Sequence, residues 1–320
     1  MAAAVHAPAP VAPVAAKRSR GRAVLAGVKE LWHDKAGFFG LLVVVLLVLG
    51  AVFAPLISPD NPSTQSILTR LTPPFWQHGG TLAHPLGTDQ LGRDIFSRVI
   101  YGSRISLLVG GSVVVVAMAI GTTVGVISGY LGGRVDAVLM RIVDTQGAFP
   151  GLLLAMLILA AVGPSAKTVI VVLIIDGWLV YARVARGTVL SAREVAYVEA
   201  AELVGCTPRR VMFRHILPNL ASPLLTLGVL EFARVVLAES VLSFLGLGVQ
   251  PPQMSWGLEI AEGQDYVLSN WWLVTFPGVA IAVTVLGINL FSSWLRVAAD
   301  PQEREKRFAA TAMITAGGGV

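Results

Sequence analysis

One run of sequence limits this chain more than any other. Residues 36–57 contain no charged side chain at all. A bilayer calls for such a run, because a hydrocarbon core of about 30 Å takes about 20 apolar residues of helix to cross. Five further segments read the same way, at about 105–130, 149–162, 168–184, 221–247 and 272–295. The third is short unless an amphipathic lead-in from Val135 joins the same helix. Composition agrees with this pattern. Hydrophobic residues make up 55% of the chain and charged residues 13%, against about 25% charged in soluble domains, and mean hydropathy is +0.73. The expected fold is all-α and integral to a membrane, with six transmembrane helices.

The net charge of +5 finds its explanation in topology, so no nucleic-acid partner is needed. With the N-terminus inside, the inner segments hold six Lys or Arg in 1–35, two in 131–148, six in 183–216 and four in 296–320. The outer segments hold four in 58–104, Lys167, and none in 248–271. Basic residues gather on the cytoplasmic side of membrane proteins, so both termini are expected to be cytoplasmic. The single Cys206 excludes an intrachain disulfide and a cysteine-only metal site.

The organisation that follows is a basic, Ala/Pro-rich cytoplasmic tail over 1–35, a first transmembrane helix over 36–57, and an extracytoplasmic segment over 58–104. A core over 105–298 carries the other five helices, and a cytoplasmic tail covers 299–320. The tail at 1–21 has Lys17-Arg18-Ser19-Arg20 but no uninterrupted apolar core, which sets it apart from a signal peptide. The outer segment carries Pro59, Pro62, Pro73, Pro74 and Pro85, so little of it is expected to be continuous helix. The inner segment at about 183–219 is long, charged and rich in helix formers, and long loops usually serve function.

Within that inner loop, Glu199-Ala200-Ala201 is followed by Gly205 and then by His215-Ile216-Leu217-Pro218-Asn219. A short helix over 197–204 presents small alanines beside acidic residues. Gly205 permits a backbone turn that a bulkier residue resists, and Pro218 marks re-entry into the membrane. Such a helix-turn-helix knob suits a groove in a partner protein. The string Tyr197-Val198-Glu199-Ala200-Ala201 through Asn219 resembles the EAA loop of ABC importer permeases.

The rest of the chain resembles the C-type permeases of the dipeptide/oligopeptide/nickel branch, the DppC/OppC-like group. The resemblance is carried by Ala54-Pro55-Leu56-Ile57, by His84-Pro85-Leu86-Gly87-Thr88-Asp89, and by Leu91-Gly92-Arg93-Asp94-Ile95-Phe96-Ser97-Arg98. It continues in Ala148-Phe149-Pro150, Leu242-Ser243-Phe244-Leu245-Gly246-Leu247-Gly248, Pro251-Pro252, Ser255-Trp256-Gly257 and Phe276-Pro277-Gly278, over about 32–301. Met254 stands where that group usually has proline, and Ser292-Ser293 where it usually has Gly-Asp.

The resemblance implies a type I ABC importer permease fold in the cytoplasmic (inner) membrane. It also implies docking to ATPase subunits through Glu199, Ala200, Ala201, Gly205, Arg209 and Arg210. The implied partners are a second homologous permease, two ATP-binding subunits, an extracytoplasmic substrate-binding protein and the lipid bilayer. Peptides are the implied cargo, with nickel, haem or other small solutes as the alternative. No cofactor is expected in this chain, since ATP and Mg belong to the partner ATPase subunits, and no enzymatic activity of its own is expected.

Four charged residues fall inside expected membrane helices: Asp176, Glu231, Arg234 and Glu239. Such charges are costly in a bilayer and tend to face a cavity, an ion path or a partner. Glu231 and Arg234 are three apart, so a helix lets them pair. Two readings stand beside each other for Glu231, Arg234 and Glu239, the translocation path and an interface with the second permease. Asp176 is read as lying near an outer helix end. An ion-coupled secondary transporter, using one of these acids, is the rival function. Gly121, Gly125 and Gly129 have the small-xxx-small spacing of close helix packing. Residues 163–168 resemble a phosphate loop only superficially, because Ala166 replaces the glycine required before the lysine. The five histidines form no ligand spacing, and His84 is a weak candidate for contact with a binding protein.

Overall fold

The computed structural model describes residues 34–299; apart from residues 34, 35 and 299, the expected tails over 1–35 and 299–320 lie outside the described residues. Nine helices of eight residues or more organise them: α1 (Lys35–Val52), α2 (Ile95–Leu131), α3 (Gly133–Gly147), α4 (Gly151–Val162), α5 (Ala166–Arg193), α6 (Ala196–Leu203), α7 (Leu217–Phe244), α8 (Trp256–Gly263) and α9 (Trp272–Ala299). A turn at Pro208–Arg210 and a π-turn at Val211–Ile216 lead directly into α7. Among the described residues no strand forms; one isolated bridge joins Thr88 and Asp94. Five helices among the described residues are long and apolar enough to cross a membrane, or six if the bent pair α3 and α4 counts as one span.

That bent pair corrects the expected third helix. The lead-in from Val135 does not join it in one rod, because α3 and α4 meet at 78°. Pro150, the N-cap of α4 with an extended backbone, forces the break, as proline disfavours helical geometry in the residue before it. Two other boundaries move outward from the apolar windows. α2 starts ten residues before position 105, because the Asp94 carboxylate accepts from the backbone N–H of Ser97 at 2.7 Å and from its hydroxyl at 2.6 Å, a strong N-cap. α5 continues to Arg193, so residues 183–193 are helix and the inner loop proper is shorter than 183–219. Hydropathy finds where a helix is apolar; caps decide where it ends.

The longest interface is between α2 and α5, and the glycines create it. A Cβ on Gly121 would land on the Trp178 carbonyl, one on Gly125 on the Ala182 carbonyl, and one on Gly129 against Val189. The same device seats α1 on α9, where Gly40 meets the backbone of Gly287 and Phe291. Small residues drive such contacts in membranes because lipid offers no hydrophobic incentive for helices to associate. Ser292, at the departure from the family pattern, is buried and donates to the Thr226 carbonyl at 3.3 Å, linking α9 to α7. Ser165 of the superficial phosphate loop is the N-cap of α5, accepting from the Thr168 N–H at 3.1 Å.

Candidate functional site

The knob on the inner loop is built from α6, the turn at Gly205, and the π-turn. Gly205 has φ +86, a left-handed conformation that glycine adopts without the Cβ clash other residues suffer. Val198, Val211 and Ile216 are fully buried and join one core with Tyr181, Ala185 and Val189 of α5 and Leu220 of α7. The knob is therefore packed onto two long helices. A polar brace adds to this: the Tyr197 hydroxyl accepts from the Asn219 side-chain amide at 2.5 Å and donates to the His215 carbonyl at 3.3 Å.

The opposite face of the knob is bare. Glu199, Ala200, Gly205, Arg209 and Arg210 are exposed, with Ala201 half-buried. Around them stand Leu203, 89% exposed, Val204, 85% exposed, and Phe213, 66% exposed. Six residues singled out from the sequence thus share one protruding element, and the apolar trio beside them went unnoticed. Clustered exposed apolar groups mark interaction surfaces. Their signal in the sequence was weak, since Leu203 and Val204 read equally well as an inward face of a short helix.

A second site lies within the membrane helices. Arg234 donates from Nε to Glu231 at 2.7 Å and from Nη1 to Asp176 at 2.7 Å. The i,i+3 pair on α7 forms as the spacing allowed, and Asp176 of α5 completes a triad with it. Asp176 and Arg234 border a cavity of about 440 Å³, lined also by Pro150, Gly151, Leu173 and Leu237; Glu231 is mostly covered and lies outside that lining. Glu239 departs from the expectation that grouped it with Glu231 and Arg234. It is fully buried inside the chain and accepts from the Ser243 hydroxyl at 2.6 Å one turn along its own helix. Glu239 is five residues beyond Arg234, which on a 3.6-residue helix rotates it away from the cavity.

A third constellation joins the 58–94 segment to α2 and α8. Arg98 of α2 pairs with both oxygens of Glu259 on α8, at 2.5 and 2.7 Å, and with Glu262 at 3.1 Å. Arg93 bridges Asp89 and Glu262, each at 2.5 Å. Burial pushes the Glu259 carboxyl above the ordinary carboxylate range, against the pull of the adjacent Arg98 guanidinium. His84 faces Asp94 at 3.2 Å and is mostly covered. The residues of the His84–Arg98 motifs therefore fold the segment before α2 onto α2 and α8. Among the described residues no group of His, Cys, Asp or Glu forms a metal site.

Comparison with known proteins gives a consistent picture. Residues 121–305 match the family of binding-protein-dependent transport system inner membrane components, and residues 27–74 match the N-terminal TM domain of oligopeptide transport permease C. The di/tripeptide transport system permease protein of Pseudomonas aeruginosa (strain UCBPP-PA14) is 41% identical over 279 residues, covering 86% of this chain and 92% of that protein. The dipeptide transport system permease protein of Escherichia coli (strain K12) is 40% identical, covering 87% and 94%. The probable D,D-dipeptide transport system permease protein of the same strain is 38% identical, covering 88% and 93%.

Proposed function

Because this chain belongs to the family of binding-protein-dependent transport system inner membrane components, we propose that it is the permease subunit of an ATP-driven peptide importer. Its partners are a second homologous permease, two ATP-binding subunits with their ATP and Mg, and an extracytoplasmic binding protein. The knob lies in the cytoplasm, with both termini on that side, and the 58–94 segment faces the binding protein. The charge bias supports this orientation. Di- and oligopeptides are the cargo, in keeping with the names of the relatives.

One observation carries the reading: an exposed acidic and apolar knob face whose back, through Val198, Val211 and Ile216, shares a core with α5 and α7. Movement imposed on the knob by ATPase closure passes into the helices that hold the Asp176–Arg234–Glu231 triad. Such coupling requires that the two membrane states fit the ATPases differently, which is alternating access. No bond is made or broken in this chain. The test is a pull-down of the tagged chain from solubilised membranes, comparing wild type with Glu199→Lys combined with Gly205→Asp. Co-purification of a second permease and ATPases with wild type, and loss of the ATPases alone in the variant, supports the reading. A wild-type chain that purifies without any ATPase while uptake persists in cells sinks it.

A further inference from the structure

Two members of the charged triad, Asp176 and Arg234, border one cavity. Asp176 is ten residues from the start of α5 and Arg234 ten from the end of α7, each about 15 Å at 1.5 Å per residue. That is about half of a 30 Å hydrocarbon core. Gly151, at the bend where α4 begins, completes the same level, and a Cβ there would land on the Asp176 carboxylate. A helix interrupted at mid-membrane beside ionisable groups is a recurrent way of building a solute site.

The charges at this site do not balance. Two carboxylates, Asp176 and Glu231, face one guanidinium, which engages them through Nη1 and Nε. Among the described residues Arg234 Nη2 has no hydrogen-bond acceptor. The Arg234 side chain is 41% exposed and that of Asp176 24%. An excess carboxylate beside an open cavity invites a cation, because an uncompensated charge at mid-membrane is costly. The spare guanidinium N–H group offers a place for an anion a few ångströms away. The rest of the lining, Leu173, Leu237, Ala238 and Val241, is apolar and makes no sequence-specific polar contact.

We propose that this cavity is a transit site for the charged ends of a short peptide. The free α-ammonium is held by Asp176, and in a di- or tripeptide the carboxylate reaches Arg234. At about 3.3–3.6 Å per residue, a dipeptide places its termini about 7 Å apart, within a cavity of this size. Recognition of the termini with an apolar surround admits peptides of differing side chains. The inference rests on the peptide-importer reading and adds which chemical group of the cargo this chain handles.

The test uses the whole transporter, with its second permease, ATPases and binding protein, reconstituted in vesicles. Uptake of radiolabelled L-alanyl-L-alanine is measured at saturating binding protein, together with ATP hydrolysis. Asp176→Asn and Arg234→Gln are expected to lower uptake at least tenfold while the complex assembles and ATP hydrolysis continues. A double exchange, Asp176→Arg with Arg234→Asp, restores an ion pair but reverses its polarity. It is expected to leave uptake low, whereas recovery to the wild-type rate shows that the triad is only a brace and overturns the proposal. A fall of less than threefold in both single variants also overturns it. Should the variants not assemble, the wild-type complex in nanodiscs, without binding protein, is titrated with labelled L-alanyl-L-alanine and with its N-acetyl derivative. Retention of the free peptide at least tenfold above the acetylated one is expected, and equal retention or none rejects the site. Absence of ATP-dependent uptake by the wild-type complex is a different result and refutes the importer reading itself.

Discussion

The hydroxyl of Tyr197 accepts a hydrogen bond from the side-chain amide of Asn219 at 2.5 Å, across 22 residues of chain. That amide also donates to the His215 carbonyl at 3.0 Å. The first residues of α6 are thereby tied to the first turn of α7.

Removing the tie tests that coupling. Tyr197→Phe keeps the ring and loses both hydroxyl contacts, each worth about 1 kcal/mol for an ordinary hydrogen bond. The expected outcome is a complex that retains its ATPases but imports severalfold less peptide per ATP hydrolysed. Uptake and phosphate release measured on the same vesicles give this ratio, and an unchanged ratio shows the brace to be dispensable.

The turn at Gly205 makes a separate prediction. At φ +86, a side chain costs about 1–2 kcal/mol, less for asparagine, which visits the left-handed region more readily. Gly205→Val is therefore expected to weaken ATPase retention in pull-downs at least fivefold, and Gly205→Asn far less. Nothing lies within contact distance of a Cβ built at Gly205, so equal effects from both variants would indicate a partner clash rather than backbone strain.

At the junction of α2 and α8, Arg98→Ala leaves Glu259 buried without its guanidinium. Breaking a buried pair from one side costs about 3–5 kcal/mol, and the expected result is a clear fall in the thermal stability of the purified chain. Replacing both partners with apolar residues, Arg98→Met with Glu259→Leu, removes the stranded charge and is expected to recover most of that stability. Static light scattering during a thermal ramp distinguishes the two cases.

The α2–α5 contact is equally specific. Gly125→Leu places a side chain where the Ala182 carbonyl and the Ala185 methyl already lie, and overpacking of this kind costs about 1–3 kcal/mol. Gly111 on the same helix has open space at its Cβ. Gly111→Leu is thus expected to be tolerated where Gly125→Leu loses yield and melts earlier in the same ramp.

Sequence alone determined the properties that depend on local composition. The uncharged runs imposed membrane crossings because a bilayer admits little else. The knob was legible because Glu199-Ala200-Ala201, Gly205 and Pro218 occur in order along one stretch of chain. The Glu231–Arg234 pair was legible because three residues on a helix is a contact distance. Helix ends were less so: Asp94 starts α2 well outside its apolar window, and Pro150 turns α4 away from α3, effects of caps and backbone geometry that hydropathy does not record.

Tertiary structure alone decided which distant charges meet. Asp176 reaches Arg234 across 58 residues and Arg98 reaches Glu259 across 161, whereas Glu239, only five residues from Arg234, turns inward to Ser243. A helix specifies neighbours at three and four residues and no further. Which face meets which follows from how closely the glycines of α2 let α5 approach, and that packing exists only in the folded chain.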